Sequence, residues 1–191
     1  MKIETQNERV HKARKTALDL LVSNHYADCI GPCKQTCPAG VDVQGYISYI
    51  DKGQYSEAVA LIKETNPLPA ICGRVCVRPC EVACRRNLLG ETAPVGIDYL
   101  KRFASDIDLE SPGKFVPELK EKTGKKVAVI GAGPGGLSSA FFLQKEGHQV
   151  DIFEAAPKAG GWLRYGIPEY RLPNDILQKE VDNITELGAN I

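Results

Sequence analysis

The chain has 191 residues, 43% of them hydrophobic and 25% charged, a globular composition that excludes a disordered or low-complexity protein. Its 24 basic side chains equal its 24 acidic ones, so no net field draws it to nucleic acid or to an anionic membrane. No apolar stretch approaches the roughly 20 residues of a membrane helix, and the polar start Met1-Lys2-Ile3-Glu4-Thr5-Gln6 does not read as a secretory signal; a cytoplasmic protein is expected.

Val10, Ala13, Ala17, Leu18 and Leu21 recur at three- and four-residue steps and predict an amphipathic packing helix over residues 4–22. Cys29-Ile30-Gly31-Pro32-Cys33-Lys34-Gln35-Thr36-Cys37-Pro38 follows, and its turn residues predict a loop with one short helical turn. Two helices are expected over about 42–51 and 55–64, parted by Gly53 and ended by Asn66-Pro67-Leu68-Pro69. From Cys72 to Cys84 a cysteine stands at every fourth position, a step that swings each sulfur by about 40° along a straight helix. Gly73 and Pro79 predict a bend, with Pro79 opening a new helix that carries Cys80 and Cys84 on one face. The sulfurs of a bent run reach two different centres. A further helix is expected over about 94–107, with Leu100, Phe103 and Ala104, and residues 108–124 lack periodicity.

From Lys125 the period changes. Lys126-Val127-Ala128-Val129-Ile130 has the pattern of a buried parallel strand and stops at Gly131-Ala132-Gly133-Pro134-Gly135-Gly136. A helix over about 136–146, ended by Gly147, and a second strand from His148 to Glu154 complete a βαβ unit. In that context G-x-G-x-x-G predicts a dinucleotide-binding turn. Gly131 permits the tight turn, Gly133 the approach of a pyrophosphate, and Gly136 the close packing of helix on strand. The helix N-terminus supplies amide donors to the phosphates. Glu154 accepts from the ribose hydroxyls, which favours an unphosphorylated ribose.

The seven cysteines, Cys29, Cys33, Cys37, Cys72, Cys76, Cys80 and Cys84, all precede the βαβ unit. Their odd number and the absence of an export signal favour ligands over a disulfide framework. Iron–sulfur clusters, structural zinc and buried free thiols are the competing uses. Zinc knuckles tolerate the spacing, whereas a run ending in Cys-Pro followed by four more thiols suits cubanes, each of which needs four outer ligands.

Cys29-x3-Cys33-x3-Cys37-Pro38, Asn66-Pro67-Leu68, Cys72-Gly73-Arg74-Val75-Cys76 and Pro79-Cys80-Glu81-x2-Cys84-Arg85-Arg86 resemble the N-terminal iron–sulfur domain of the glutamate synthase small subunit family. Dihydropyrimidine dehydrogenase and NAD(P)H-dependent ferredoxin oxidoreductases share that domain. The resemblance covers residues 1 to about 110 and implies two interleaved [4Fe–4S] clusters: Cys29, Cys33 and Cys84 would serve one, and Cys37, Cys76 and Cys80 the other. This chain departs from the family twice. Tyr26 stands where a first cysteine is usual, and Lys101 aligns near a non-cysteine ligand that is an acid or amide in several members. Cys72 is the candidate replacement for the first loss. Asp98, one helical turn from Lys101, is a candidate for the second, against a reading as a solvated surface carboxylate. His25 reads as a surface or packing histidine.

The same resemblance continues past the turn. Ala140 extends the glycine motif, and Gly160-Gly161-Trp162-Leu163-Arg164-Tyr165-Gly166-Ile167-Pro168-Glu169-Tyr170-Arg171-Leu172-Pro173 matches a stretch of the FAD half of such flavoproteins. It implies FAD, with Gly161, Leu163 and Arg171 among its contacts; ordinary loop packing, with Arg171 in an ion pair, is the competing reading.

The expected architecture is an α-helical iron–sulfur domain (1–110), a linker (111–124) and an incomplete α/β Rossmann-like FAD-binding domain (125–191). The expected function is the electron-transfer part of an NAD(P)H oxidoreductase that passes electrons between FAD and a partner through [4Fe–4S] clusters, with no catalytic acid or base. The partner is a larger oxidoreductase subunit or a ferredoxin-type carrier. The NAD(P)H site is expected in a missing C-terminal part, since the sheet looks unfinished at Gly188-Ala189-Asn190-Ile191. A noncatalytic relay or docking subunit, and a zinc-stabilised helical module on a nucleotide-binding domain, are the alternatives.

Overall fold

Proline and glycine set most element boundaries in the computed structural model, which describes residues 3–23, 29–90 and 92–191. Helix α1 (Glu8–Ser23) starts where the Asn7 side chain accepts from the Val10 amide at 2.9 Å, the bond of a helix N-cap. It belongs to a separate unit, residues 1–30. The expected packing face is not buried: α1 has no buried residue, and Leu18 and Leu21 are exposed.

Residues 31–191 form the second unit. Its helical part comprises α2 (Pro32–Thr36), α3 (Val43–Asp51), α4 (Tyr55–Lys63), α5 (Pro69–Val75), α6 (Pro79–Val82), a 3-10 turn (Arg85–Leu88) and α7 (Ile97–Glu110). Prolines open α2, α5 and α6, where a missing amide proton costs nothing. Asp42 caps α3 by accepting from the Gly45 amide at 3.2 Å. Gly45 lets α3 lie against α4, because a Cβ there would stand 2.5 Å from a Leu61 methyl. Tyr46 is buried between α3 and α7, and its hydroxyl donates to the Ile97 carbonyl at 2.7 Å. Val43, Val59, Ile62 and Ala104 complete this core.

Helix α7 runs three residues beyond the expected end. Asp108 in its last turn accepts from the Ser56 hydroxyl at 2.7 Å and the Phe115 amide at 3.0 Å. Residues 111–124 carry no helix or strand, yet they are tied down: the Lys120 amide donates to the Lys145 carbonyl at 2.9 Å.

Strands β1 (Lys126–Ile130) and β2 (Gln149–Phe153) pair in parallel, Lys126 opposite Gln149 and Ile130 opposite Phe153, with α8 (Pro134–Lys145) as the crossover. Helices α9 (Trp162–Tyr165) and α10 (Asn174–Glu186) follow, and Asn190 forms a parallel bridge to Asp151. The expectation of a buried β1 does not hold, because its residues are exposed or half-buried. Its pairing among the described residues is with β2, and a parallel strand is buried only with neighbours and both faces covered.

The core of this half takes in Leu137, Phe141, Val150, Ile152, Leu177 and Ile184, together with Leu68 and Ile71 from the helical half. A buried ion pair marks the seam: Lys63 Nζ of α4 lies 3.6 Å from Glu180 Oε2 of α10, and Glu180 also accepts from the Ala70 amide of α5 at 2.8 Å.

Candidate metal centres and dinucleotide turn

The bend between α5 and α6 decides where the sulfurs go. Cys76 follows the last residue of α5, Arg78 takes a left-handed conformation with φ 61°, and Pro79 opens α6. This path brings Cys72, Cys76 and Cys80 to one cavity of about 240 Å³, where Cys37 joins them from the end of α2. Tyr46, Pro79 and Lys101 also line it. Helix α6 stops at Val82, so the expected shared face of Cys80 and Cys84 does not form. Cys84 precedes the 3-10 turn and lines a second cavity, about 270 Å³, with Cys33, Arg85 and Arg86. Cys29, in the first unit, is exposed. His25 and Tyr26 lie outside the described residues.

The first cavity is electrostatically dense. Burial pushes the Cys80 thiol up to about 11, and burial likewise raises Cys76, whose sulfur accepts from the Arg78 amide at 3.3 Å. Lys101 Nζ donates to Cys72 Sγ at 3.1 Å. Asp98 is 1% exposed, which removes its reading as a solvated carboxylate. It pairs with Lys101 at 2.8 Å and with Arg78 Nε at 3.2 Å, and neither oxygen has a further hydrogen-bond donor among the described residues. Two cations thus engage Asp98. Cys72 lies with Cys37, Cys76 and Cys80 and not with Cys33 and Cys84, so it does not stand where it would replace the loss at Tyr26.

The donor set is soft and larger than the one group close enough for a single ion. Four thiolates around zinc, each about 2.3 Å from the metal, require sulfurs gathered about 4 Å apart. Among the described residues one group of three candidate ligand atoms comes within 4.8 Å of one another, and it consists of Cys72, Cys76 and Asp98. The sulfurs of Cys37 and Cys80 stand outside that group while lining the same cavity. Four soft donors spread around one space suit a cubane.

The glycine turn is built differently. Gly131 adopts φ 91°, and its amide donates to the Phe153 carbonyl at 2.7 Å. A Cβ on Gly136 would stand 1.9 Å from the Gly131 carbonyl oxygen, so α8 closes on the end of β1 only without a side chain. A Cβ on Gly161 would stand 2.8 Å from the Gly133 Cα. The two glycine turns therefore meet backbone to backbone, and the Gly160 amide donates to the Ala132 carbonyl at 2.8 Å. A Cβ on Gly131 or Gly135 would meet nothing within 4 Å, leaving the outer face of the turn open to a phosphate at the helix N-terminus. Glu154 accepts from the amides of Ala156 at 2.8 Å and Ala132 at 2.7 Å, and these bonds hold its carboxyl below the usual glutamate range. The Leu163 side chain is in the core, and Arg171 is exposed.

Residues 6–112 match the profile of the family described as dihydropyrimidine dehydrogenase domain II, 4Fe-4S cluster. The chain belongs to this family. Residues 129–184 of this dihydropyrimidine dehydrogenase domain II family member match the NAD(P)-binding Rossmann-like domain family. The chain is 44% identical over 181 residues to the NADP(+)-dependent formate dehydrogenase subunit beta of Moorella thermoacetica, an alignment covering 84% of this chain and 25% of that protein. It is 41% identical over 162 residues to the NADPH-Fe(3+) oxidoreductase subunit beta of Geobacter sulfurreducens, covering 84% of this chain and 24% of that one. With the glutamate synthase [NADPH] small chain of Bacillus subtilis it shares 35% identity over 178 residues, 86% of this chain and 36% of the relative. The chain thus spans about a quarter to a third of the length of these relatives.

In this member of the dihydropyrimidine dehydrogenase domain II family, the roles of three residues have no local signature in the sequence. Arg78 carries the left-handed bend; a non-glycine residue there has no pattern to announce it. Lys101 donates a hydrogen bond to the Cys72 sulfur, a role visible only once α5 lies against α7. Arg164 ties α9 to α10, donating to the Ala159 carbonyl at 2.6 Å and to Gln178 at 2.8 Å. No helix among the described residues is long and apolar enough to cross a membrane.

Proposed function

We propose that the chain is the electron-transfer part of an NAD(P)H-dependent flavin and iron–sulfur oxidoreductase. One [4Fe–4S] cluster is assigned to Cys37, Cys72, Cys76 and Cys80, and a second to the cavity of Cys33 and Cys84, with Cys29 added to it by the family resemblance alone. FAD is assigned to the turn of Gly131, Gly133 and Gly136, with Glu154 and the Gly161, Leu163 and Arg171 stretch. When bound, the flavin exchanges a hydride with a nicotinamide and single electrons with the clusters. The amides opening α8 face the phosphates. Glu154 keeps free lone pairs for ribose hydroxyls while it fastens the loops on either side. Tyr46 and Pro79 line the first thiol cavity.

The observation that carries this reading is the sorting of Cys37, Cys72, Cys76 and Cys80 from Cys33 and Cys84 into separate cavities. Functionally the division is 1–110, 111–124 and 125–191, although packing is continuous from residue 31. The turn of Gly131, Gly133 and Gly136 is assigned to FAD, so the nicotinamide donor is assigned to another site. The electron partner is a larger oxidoreductase subunit or a ferredoxin-type carrier, in keeping with relatives named as beta subunits or small chains.

Anaerobic purification followed by iron, acid-labile sulfide and zinc analysis tests the proposal. Two cubanes give about eight irons and eight sulfides per chain. Zinc without sulfide overturns it.

A further inference from the structure

Lys101 is 8% exposed and sits in the wall of the first thiol cavity, facing sulfur. Its Nζ lies 3.1 Å from Cys72 Sγ and 2.8 Å from Asp98 Oδ1. Asp98 is held on its other side by Arg78 Nε at 3.2 Å, and Glu81 accepts the Asp98 amide at 2.8 Å. Arg78 also lies 3.9 Å from Glu81. Two cations and two anions therefore form one network behind the cavity, and of the four side chains Lys101 is the one that lines the cavity and bonds a sulfur. The carboxylate near Cys72 and Cys76 is offset by both cations.

An ammonium has three donors and no acceptor, so it cannot ligate iron, but it can bond a thiolate strongly. Reduction adds negative charge to a cluster. A donor on a ligand sulfur, together with a cation in a poorly solvated wall, stabilises that added charge. We infer that Lys101 is a positioning residue for the cluster of the Cys37, Cys72, Cys76 and Cys80 cavity: anchored by Asp98, its ammonium orients Cys72 as a thiolate and raises the cluster's reduction potential. This rests on the cluster proposed above.

The test is an electron paramagnetic resonance redox titration of the anaerobically reconstituted protein, with dithionite as reductant, for wild type, Lys101→Met, Lys101→Gln and Lys101→Arg. Iron and sulfide in the wild type are measured first; their absence defeats the cluster proposal itself, before any variant is compared. Lys101→Met should keep its iron and give a reduced-to-oxidised ratio about tenfold lower at a fixed solution potential, a shift of about 59 mV for one electron. Lys101→Gln, which keeps a donor without the charge, should fall between, and Lys101→Arg should recover most of the wild-type value. An unchanged midpoint in Lys101→Met with full iron overturns the inference. So does loss of iron in all three variants with the helical spectrum intact, which would make Lys101 a packing residue. Should Lys101→Met alone fail to fold, the order of Lys101→Gln and Lys101→Arg decides.

Discussion

The first thiol cavity and the glycine turn are built from opposite resources of the chain. The cavity draws side chains from residues 37, 72, 76, 80 and 101, which come together only when α2, α5, α6 and α7 have packed. The turn uses almost no side chains. Its shape comes from backbone atoms of residues 131–136 and 160–161, which approach closely because Cβ atoms are missing. A cavity of the first kind is lost by removing an atom, and a turn of the second kind by adding one.

Removing a sulfur should have the largest effect. Cys76→Ala deletes a wall of the first cavity but none of the second, so iron and sulfide should fall by about four each, one cubane's worth, with the remainder retained. Loss of all iron would show that the two cavities are not independent.

Next comes the seam between the two regions. Glu180→Ala leaves Lys63, 4% exposed, as an unpaired buried cation and strips the Ala70 amide of its acceptor. Such losses cost about 3–5 kcal/mol, and denaturant unfolding should read a drop of that size in one transition shared by both regions. Adding an atom comes third. Gly136→Ala drives a Cβ to 1.9 Å from a backbone oxygen, an overpacking worth about 1–3 kcal/mol. Bound flavin should be lost while iron is kept, which separates the two regions by cofactor.

The smallest effect concerns pH. The Glu154 carboxyl lies below its ordinary value of 4.5 through the Ala156 and Ala132 amides. A depressed carboxyl contributes stability that is present above the unfolded value and lost as pH falls through the folded one. Glu154→Gln should therefore lose stability at neutral pH and show a flatter acid limb below pH 4.5 than wild type; thermal melts between pH 3 and 7 check this.

Sequence legibility follows the same divide. The βαβ unit was readable almost to the residue, because G-x-G-x-x-G, the apolar run before it and Glu154 act within one short stretch. The bend at Pro79 was readable too, since proline fixes its own position in a helix. Spacing alone does not say which sulfurs share a space; the family resemblance is what groups Cys37, Cys76 and Cys80 apart from Cys33 and Cys84. The four-residue step seemed to place Cys80 and Cys84 on one face, whereas α6 ends at Val82 and separates them. Asp98 reads as a candidate ligand or a solvated carboxylate, and Lys101 only as a lost ligand, because neither the burial of one side of α7 nor the approach of Cys72 from α5 is written in the local pattern.

The bond from the Ala70 amide to Glu180 reaches further than its own energy. Ala70 stands in the opening turn of the helix that bears Cys72 and leads into Cys76, while Glu180 rides on α10, packed against the crossover helix of the nucleotide side. One end of the sulfur-bearing rod is thereby clamped to the other half of the molecule. For the proposed electron-transfer role, a buried clamp of this kind ties the position of the thiol cavity to that of the glycine turn.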